Sequence, residues 1–153
     1  MKRRGNAVWK GGLHEGRGLV STESTTLSNA SYNFSARFEN GSGTNPEELI
    51  AAAHAACFSM ALGAELEKAG LNPEEISTQA TATLDRQDGH WRVTAIRLDI
   101  RAKVPHATPA VLQAAAETAK AGCPISALLN APITMTAELE EPSTPHPARS
   151  TPQ

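Results

Sequence analysis

Residues 44–70 read TNPEELIAAAHAACFSMALGAELEKAG, and the fold turns on them. The stretch is apolar on nearly every side and carries Cys57 near its middle. A helix that is hydrophobic all round has no solvent face and must be wrapped by other elements or by a second subunit, so Cys57 is expected to lie deep. The ends are marked by local chemistry. Asn45 can cap the N-terminus, Pro46 falls at the first helical position, and Glu48 stands three after the cap, where its carboxylate can reach back. Gly70 supplies a left-handed closing residue, Leu71 the hydrophobic contact beyond it, and Asn72-Pro73 cannot continue the helix. Helical positions 46–69 span roughly 36 Å. That length raises the question of a membrane span, but His54, Ser59, Glu47, Glu48, Glu65 and Glu67 argue against one. The reading is a buried helix of a soluble protein, with no membrane partner.

Upstream, residues 7–39 read as three strands, AVWKGGL, GRGLVST and SYNFSARFE, separated by turn-rich segments. In the third, Tyr32, Phe34, Ala36 and Phe38 alternate with Asn33, Ser35 and Arg37, which places Arg37 off the core face. Downstream, ISTQATATL and WRVTAIRLDIRAKV flank Asp88-Gly89, a hairpin signal, and a slip in alternation predicts a bulge near residues 95 and 96. Thr108-Pro109 opens a second helix that closes at Gly122. Cys123 then caps a short helix beginning at Pro124, with its sulfur toward the positive end. A last strand, PITMTAELE, completes one domain over residues 1–140. The tail, residues 141–153, carries four prolines and is expected to be disordered.

Strands in runs rather than strict alternation with helices indicate an α+β fold, its sheet mainly antiparallel around the long central helix. A homodimer is the simplest cover for that helix's remaining side. With 14 basic and 16 acidic side chains in 153 residues, the chain has no electrostatic footprint for nucleic acid. The start, MKRRGNAVWKGG, has no apolar run behind its basic residues, so a cytoplasmic location is the default expectation. Structural disulfides are uncommon in that compartment, and the ordinary role of Cys57 and Cys123 would be packing.

A buried mid-helix cysteine gains nothing from the helix dipole, and burial raises its pKa, so a reactive Cys57 needs a cation brought to it. His54, one turn earlier, and Arg37 are the candidates. Arginine stays charged when desolvated, whereas histidine is more often a satisfied core or interface residue. Glu48 has a capping task, which leaves Glu47 free for a charge pair. About 15 Å of helix separates Glu47 from Cys57. An Arg37–Glu47 pair therefore either spans that gap or is presented to Cys57 of another subunit. Zinc is disfavoured, since neither CxxC nor HxxxH spacing occurs. Glycine-rich phosphate loops and a GxSxG elbow are absent.

GTNPEELIAAAHAACFSMAL, preceded by TEST and SYNFSARFENGSG and followed by KAGCPISALLNAPIT, closely resembles the osmotically inducible protein C (OsmC) family of thiol-dependent peroxidases. That family includes the organic hydroperoxide resistance proteins. The resemblance covers about residues 5–139, and the wording AAHAACFSMAL resembles the OsmC branch proper. It implies an intertwined homodimer with two sites at the subunit interface and no cofactor or metal. It matches Cys57 to the peroxidatic cysteine, Cys123 to the resolving cysteine, Arg37 to the active-site arginine and Glu47 to its paired glutamate. The implied reaction reduces organic hydroperoxides, with hydrogen peroxide as a second candidate, through a Cys57 sulfenic acid and a Cys57–Cys123 disulfide. A dithiol, lipoyl-type by the resemblance, resets the enzyme. The alternatives are a cysteine hydrolase or acyl-transfer enzyme using Cys57 and His54, and a non-catalytic dimeric redox sensor.

Overall fold

A computed structural model describes residues 1–141, so apart from Glu141 the expected tail lies outside the described residues. The chain opens with β1 (Gly5–Lys10), β2 (Arg17–Thr22) and β3 (Ala30–Tyr32), an antiparallel sheet in that order. Its aromatic side chains need glycines for company. A Cβ on Gly18 would run into the Tyr32 ring and one on Gly16 into the Trp9 ring, and the two rings themselves lie 5.5 Å apart.

The expected third strand stops early. After Tyr32 the chain turns into a short helix, α1 (Phe34–Phe38), which carries Arg37. Asn33 decides this, because its Oδ1 accepts from the Ala36 N–H at 2.7 Å and its Nδ2 donates to the Ser42 carbonyl at 3.1 Å. Such an Asn cap favours helix over strand continuation. Phe34 and Phe38 then meet one turn apart, with centroids 4.8 Å from each other. Spacings of two and four residues both bring them to one side, so the strand alternation was misleading.

The long helix α2 (Pro46–Lys68) has the expected ends. Asn45 accepts from the Glu48 N–H at 2.8 Å. The Glu48 carboxylate takes the Thr44 hydroxyl at 3.0 Å, a variation on the expected reach back to the cap. At the far end Leu71 N–H bonds Leu66 O at 3.0 Å and Gly70 N–H bonds Glu67 O at 2.9 Å, with Gly70 at φ 76°, the Schellman closure.

A second sheet, in the order β4-β5-β6, forms from β4 (Glu75–Gln87), β5 (His90–Lys103) and β6 (Ile133–Glu140). The β4–β5 hairpin turns on Asp88 and Gly89, both with positive φ. Thr83 pairs with Ala95 and Leu84 with Val93, so the extra residue is Thr94, just ahead of the expected position. β6 runs parallel to β5, which no local pattern foretold. The crossover through α3 (Pro109–Gly122) and α4 (Pro124–Leu128) is what allows the parallel return.

The core lies between this sheet and the helices. Phe58, Leu62 and Leu66 of α2, Ile96, Leu98 and Ile100 of β5, and Leu112, Ala116 and Ala119 of α3 are fully or almost fully buried. α2 is long and apolar enough by length and composition to cross a bilayer, yet it packs along β4 and α3 as a core helix does. Its buried stripe is His54, Phe58, Leu62 and Leu66. Two residues out of phase, about 200° around the helix, runs a second apolar stripe of Ala52, Ala56, Met60 and Ala64, all exposed in the single chain. Cys57 lies between the two stripes and is half-buried rather than deep, because only one side of α2 is covered.

Candidate active site

Cys57 comes from the middle of α2 and Cys123 from the joint between α3 and α4, and their sulfurs lie 3.2 Å apart. Both are free thiols. The α3–α4 joint forms because Cys123, the residue before Pro124, takes an extended backbone that stops α3 after Gly122, and Pro124, with no N–H to offer, begins the next helix. Cys123, the N-cap of α4, is wholly buried. Its sulfur makes no full cap hydrogen bond, although the N–H groups of Ile125 and Ser126 lie near enough to favour its charged form.

The two thiols are driven apart in acidity. Burial pushes the Cys57 thiol up, the Ile125 N–H works against that, and the neighbouring Cys123 raises it further. At Cys123 burial also works to raise the pKa, but the Ser126 N–H, the Cys57 thiol, the Ser126 hydroxyl and the Ile125 N–H together bring it below the ordinary thiol value.

Arg37 and Glu47 also meet. Nε of Arg37 donates to Oε1 and Oε2 of Glu47 at 3.2 and 3.1 Å, and Nη2 donates to Oε1 at 2.7 Å. This two-armed geometry fixes the guanidinium plane. The Arg37 side chain is still 36% exposed, with its Cζ 5.0 Å from the Phe38 ring centroid. The groups acting on the Cys57 thiol do not include Arg37. Within one chain, then, the two expected pairs each form, Arg37–Glu47 at the start of α2 and Cys57–Cys123 at its middle.

Beside Arg37 is a pocket of about 200 Å³ lined chiefly by Trp9, Leu13, Tyr32, Phe34 and Phe38. Larger clefts of about 490 Å³ occur elsewhere, one on the polar outer face of the second sheet around Gln79, Arg97 and Asp99, but neither thiol lines it. Among the described residues no group of three or more His, Cys, Asp or Glu side chains is placed to hold a metal.

The model of the OsmC-like protein family matches residues 39–138. The chain belongs to the OsmC-like protein family. The Escherichia coli protein named peroxiredoxin OsmC is 46% identical over 140 residues, covering 92% of this chain and 98% of its own. A protein of Xanthomonas axonopodis named organic hydroperoxide resistance protein is 34% identical over 87 residues, covering 56% of this chain and 59% of its own. An OsmC-like protein of unknown function from Vibrio cholerae has the same fold, with a TM-score of 0.73 at 15% identity over 90% of this chain and 99% of that one.

This OsmC-family site contains a residue pair that the sequence reading did not assemble. His54 is fully buried, and its Nε2 lies 2.8 Å from the Ser126 Oγ. Burial holds its pKa below the ordinary histidine value, and among the described residues its Nδ1 has no partner. The expectation for His54 was a satisfied core or interface histidine, which fits this contact; Ser126 itself was not among the candidates. The available signal was its place three residues after Cys123, one helical turn along from the cap.

Proposed function

We propose that the chain is a thiol peroxidase that reduces organic hydroperoxides. The observation that carries this reading is the 3.2 Å separation of Cys57 and Cys123 sulfurs at the meeting of two elements. Closing that gap to a disulfide of about 2.05 Å needs only about an ångström of movement. The names of the Escherichia coli and Xanthomonas relatives support peroxide chemistry and stress defence. The apolar pocket beside Arg37 suits an organic tail.

In this reading the Cys57 thiolate attacks the terminal peroxide oxygen, the O–O bond breaks, that OH stays on sulfur as the sulfenic acid, and the alkoxide leaves and takes a proton from solvent to become the alcohol. Cys123 attacks that sulfur and water departs, leaving a disulfide. A dithiol of the reducing cytoplasm, lipoyl-type in its chemistry, then restores both thiols and becomes a disulfide itself. Because burial opposes a Cys57 thiolate, a cation has to be brought to it. In a homodimer joined along the outer stripe of α2, the partner subunit's Arg37, oriented by Glu47, meets Cys57 and favours its charged form. A cysteine hydrolase would need His54 as base at Cys57, whereas His54 is engaged by Ser126.

The deciding experiment is steady-state consumption of cumene hydroperoxide with a dithiol reductant. The unsubstituted protein turns over many equivalents, and Cys57→Ser turns over none. A single stoichiometric oxidation without turnover would instead identify a redox sensor.

A further inference from the structure

Trp91 stands second in β5, beside the Asp88-Gly89 turn, outside the core and 51% exposed. The bulge decides which way it points. Beyond the bulge, Ile96, Leu98 and Ile100 face the helices, while Arg97, Asp99 and Arg101 line the outer face. Unbroken alternation down the strand would put Trp91 with the outer set. The extra residue, Thr94, moves it to the helix side together with Val93, which packs against the core.

On that side Trp91 meets Phe38 of α1, with ring centroids 5.0 Å apart. The Phe38 ring in turn carries the Arg37 guanidinium, whose Cζ is 5.0 Å from its centroid. Arg86, opposite Trp91 in the hairpin, lies 5.7 Å over the Trp91 ring. The order is cation, ring, ring, cation, and both cations lie within the roughly 6 Å at which a ring face attracts a guanidinium. Arg37 is therefore held from two directions. Glu47 takes Nε and Nη2, which sets the plane and leaves Nη1, while Phe38 supports the group from the side. α1 has five residues, too few to hold its own shape, so Phe38 depends on neighbours from elsewhere. Of the rings against Phe38, Phe34 belongs to α1 itself and Trp91 comes from the other sheet.

We propose that Trp91 is a positioning residue for Arg37: stacked behind Phe38, it fixes the ring on which the guanidinium lies, and so the angle at which Arg37 is presented. This rests on the peroxidase reading, in which Arg37 meets the Cys57 thiolate and the charge on the departing alkoxide. Reduction of the disulfide by a dithiol makes no use of Arg37. Trp91 thus serves one half of the cycle and not the other.

The test follows the two half-reactions separately by rapid mixing, cumene hydroperoxide with the reduced protein and dithiothreitol with the oxidised protein. Trp91→Leu keeps apolar bulk but no ring. It should slow the peroxide step about fivefold, the size of one such contact, and leave the dithiol step unchanged. Trp91→Phe, which keeps a ring, should restore the rate. In Arg37→Lys, whose ammonium has no flat face to lay on a ring, Trp91→Leu should cost less than about twofold more. A peroxide step unchanged in Trp91→Leu overturns the inference, as does equal slowing of both steps, the mark of a merely loosened fold. A full further loss in Arg37→Lys overturns it too, since Trp91 would then act without the guanidinium. Should Trp91→Leu fail to fold, Phe38→Leu carries the same comparison, with the same outcomes deciding. An unsubstituted protein that consumes no peroxide overturns the peroxidase reading and this inference with it. Normal turnover there, with Trp91→Leu no different, overturns the inference alone.

Discussion

At the scale of single residues, the structure separates buried groups that titrate from those that do not. His54 is neutral in the folded chain because burial lowers its pKa from the ordinary 6.5. The unfolded chain takes up that proton as pH falls below about 6.5, whereas the folded chain resists, so unfolding gains ground on the acid side. Stability from this source is fully present above that pH and declines below it, by at most about 1.4 kcal/mol per pH unit. Melting temperatures measured from pH 7.5 down to 5 should fall more steeply for the unsubstituted protein than for His54→Gln. Arg37 has a different role. Arg37→Lys keeps the charge but cannot hold Glu47 with two arms, so kcat/KM for cumene hydroperoxide should drop at least tenfold. Unchanged kinetics in Arg37→Lys would remove the guanidinium geometry from the proposal.

At the scale of elements, α2 owes its limits to short-range chemistry. Asn45→Ala removes the acceptor of the Glu48 N–H and should cost about 1 kcal/mol in urea unfolding. Gly70→Ala forces a Cβ onto a backbone at φ 76° and should cost about 1 kcal/mol as well. These sites are far enough apart that the losses should add. α1 shows the opposite case. Its aromatic residues satisfied a strand pattern and a helix pattern equally, and the bonds from Asn33 to Ala36 and Ser42 settled the matter. That change of element is what carries Arg37 to Glu47.

At the scale of the whole molecule, the outer stripe of Ala52, Ala56, Met60 and Ala64 is the feature a lone chain does not explain. Met60 is 78% exposed. If a second copy covers this stripe, Met60→Glu should yield a monomer by sedimentation and lose turnover together. A mixture of Arg37→Ala and Cys57→Ser proteins offers a sharper check. Should each site join Cys57 of one subunit to Arg37 of the other, refolding the two inactive variants together should recover about a quarter of full activity, since half the dimers are mixed and each holds one whole site. No recovery would place both residues' action within a single chain.

The amino-acid sequence by itself determined the features that depend on neighbours a few residues apart: the caps of α2, the Asp88-Gly89 hairpin, the break between α3 and α4 at Cys123, and the separation of Glu47 from Glu48 in role. These are short-range hydrogen bonds and backbone preferences, and they are complete within a turn of chain. Tertiary structure alone decided the parallel return of β6, the contact of Cys57 with Cys123, and the pairing of His54 with Ser126. Those joins bring together groups distant in sequence, and their partners are chosen by packing around a shared core, which no local pattern records.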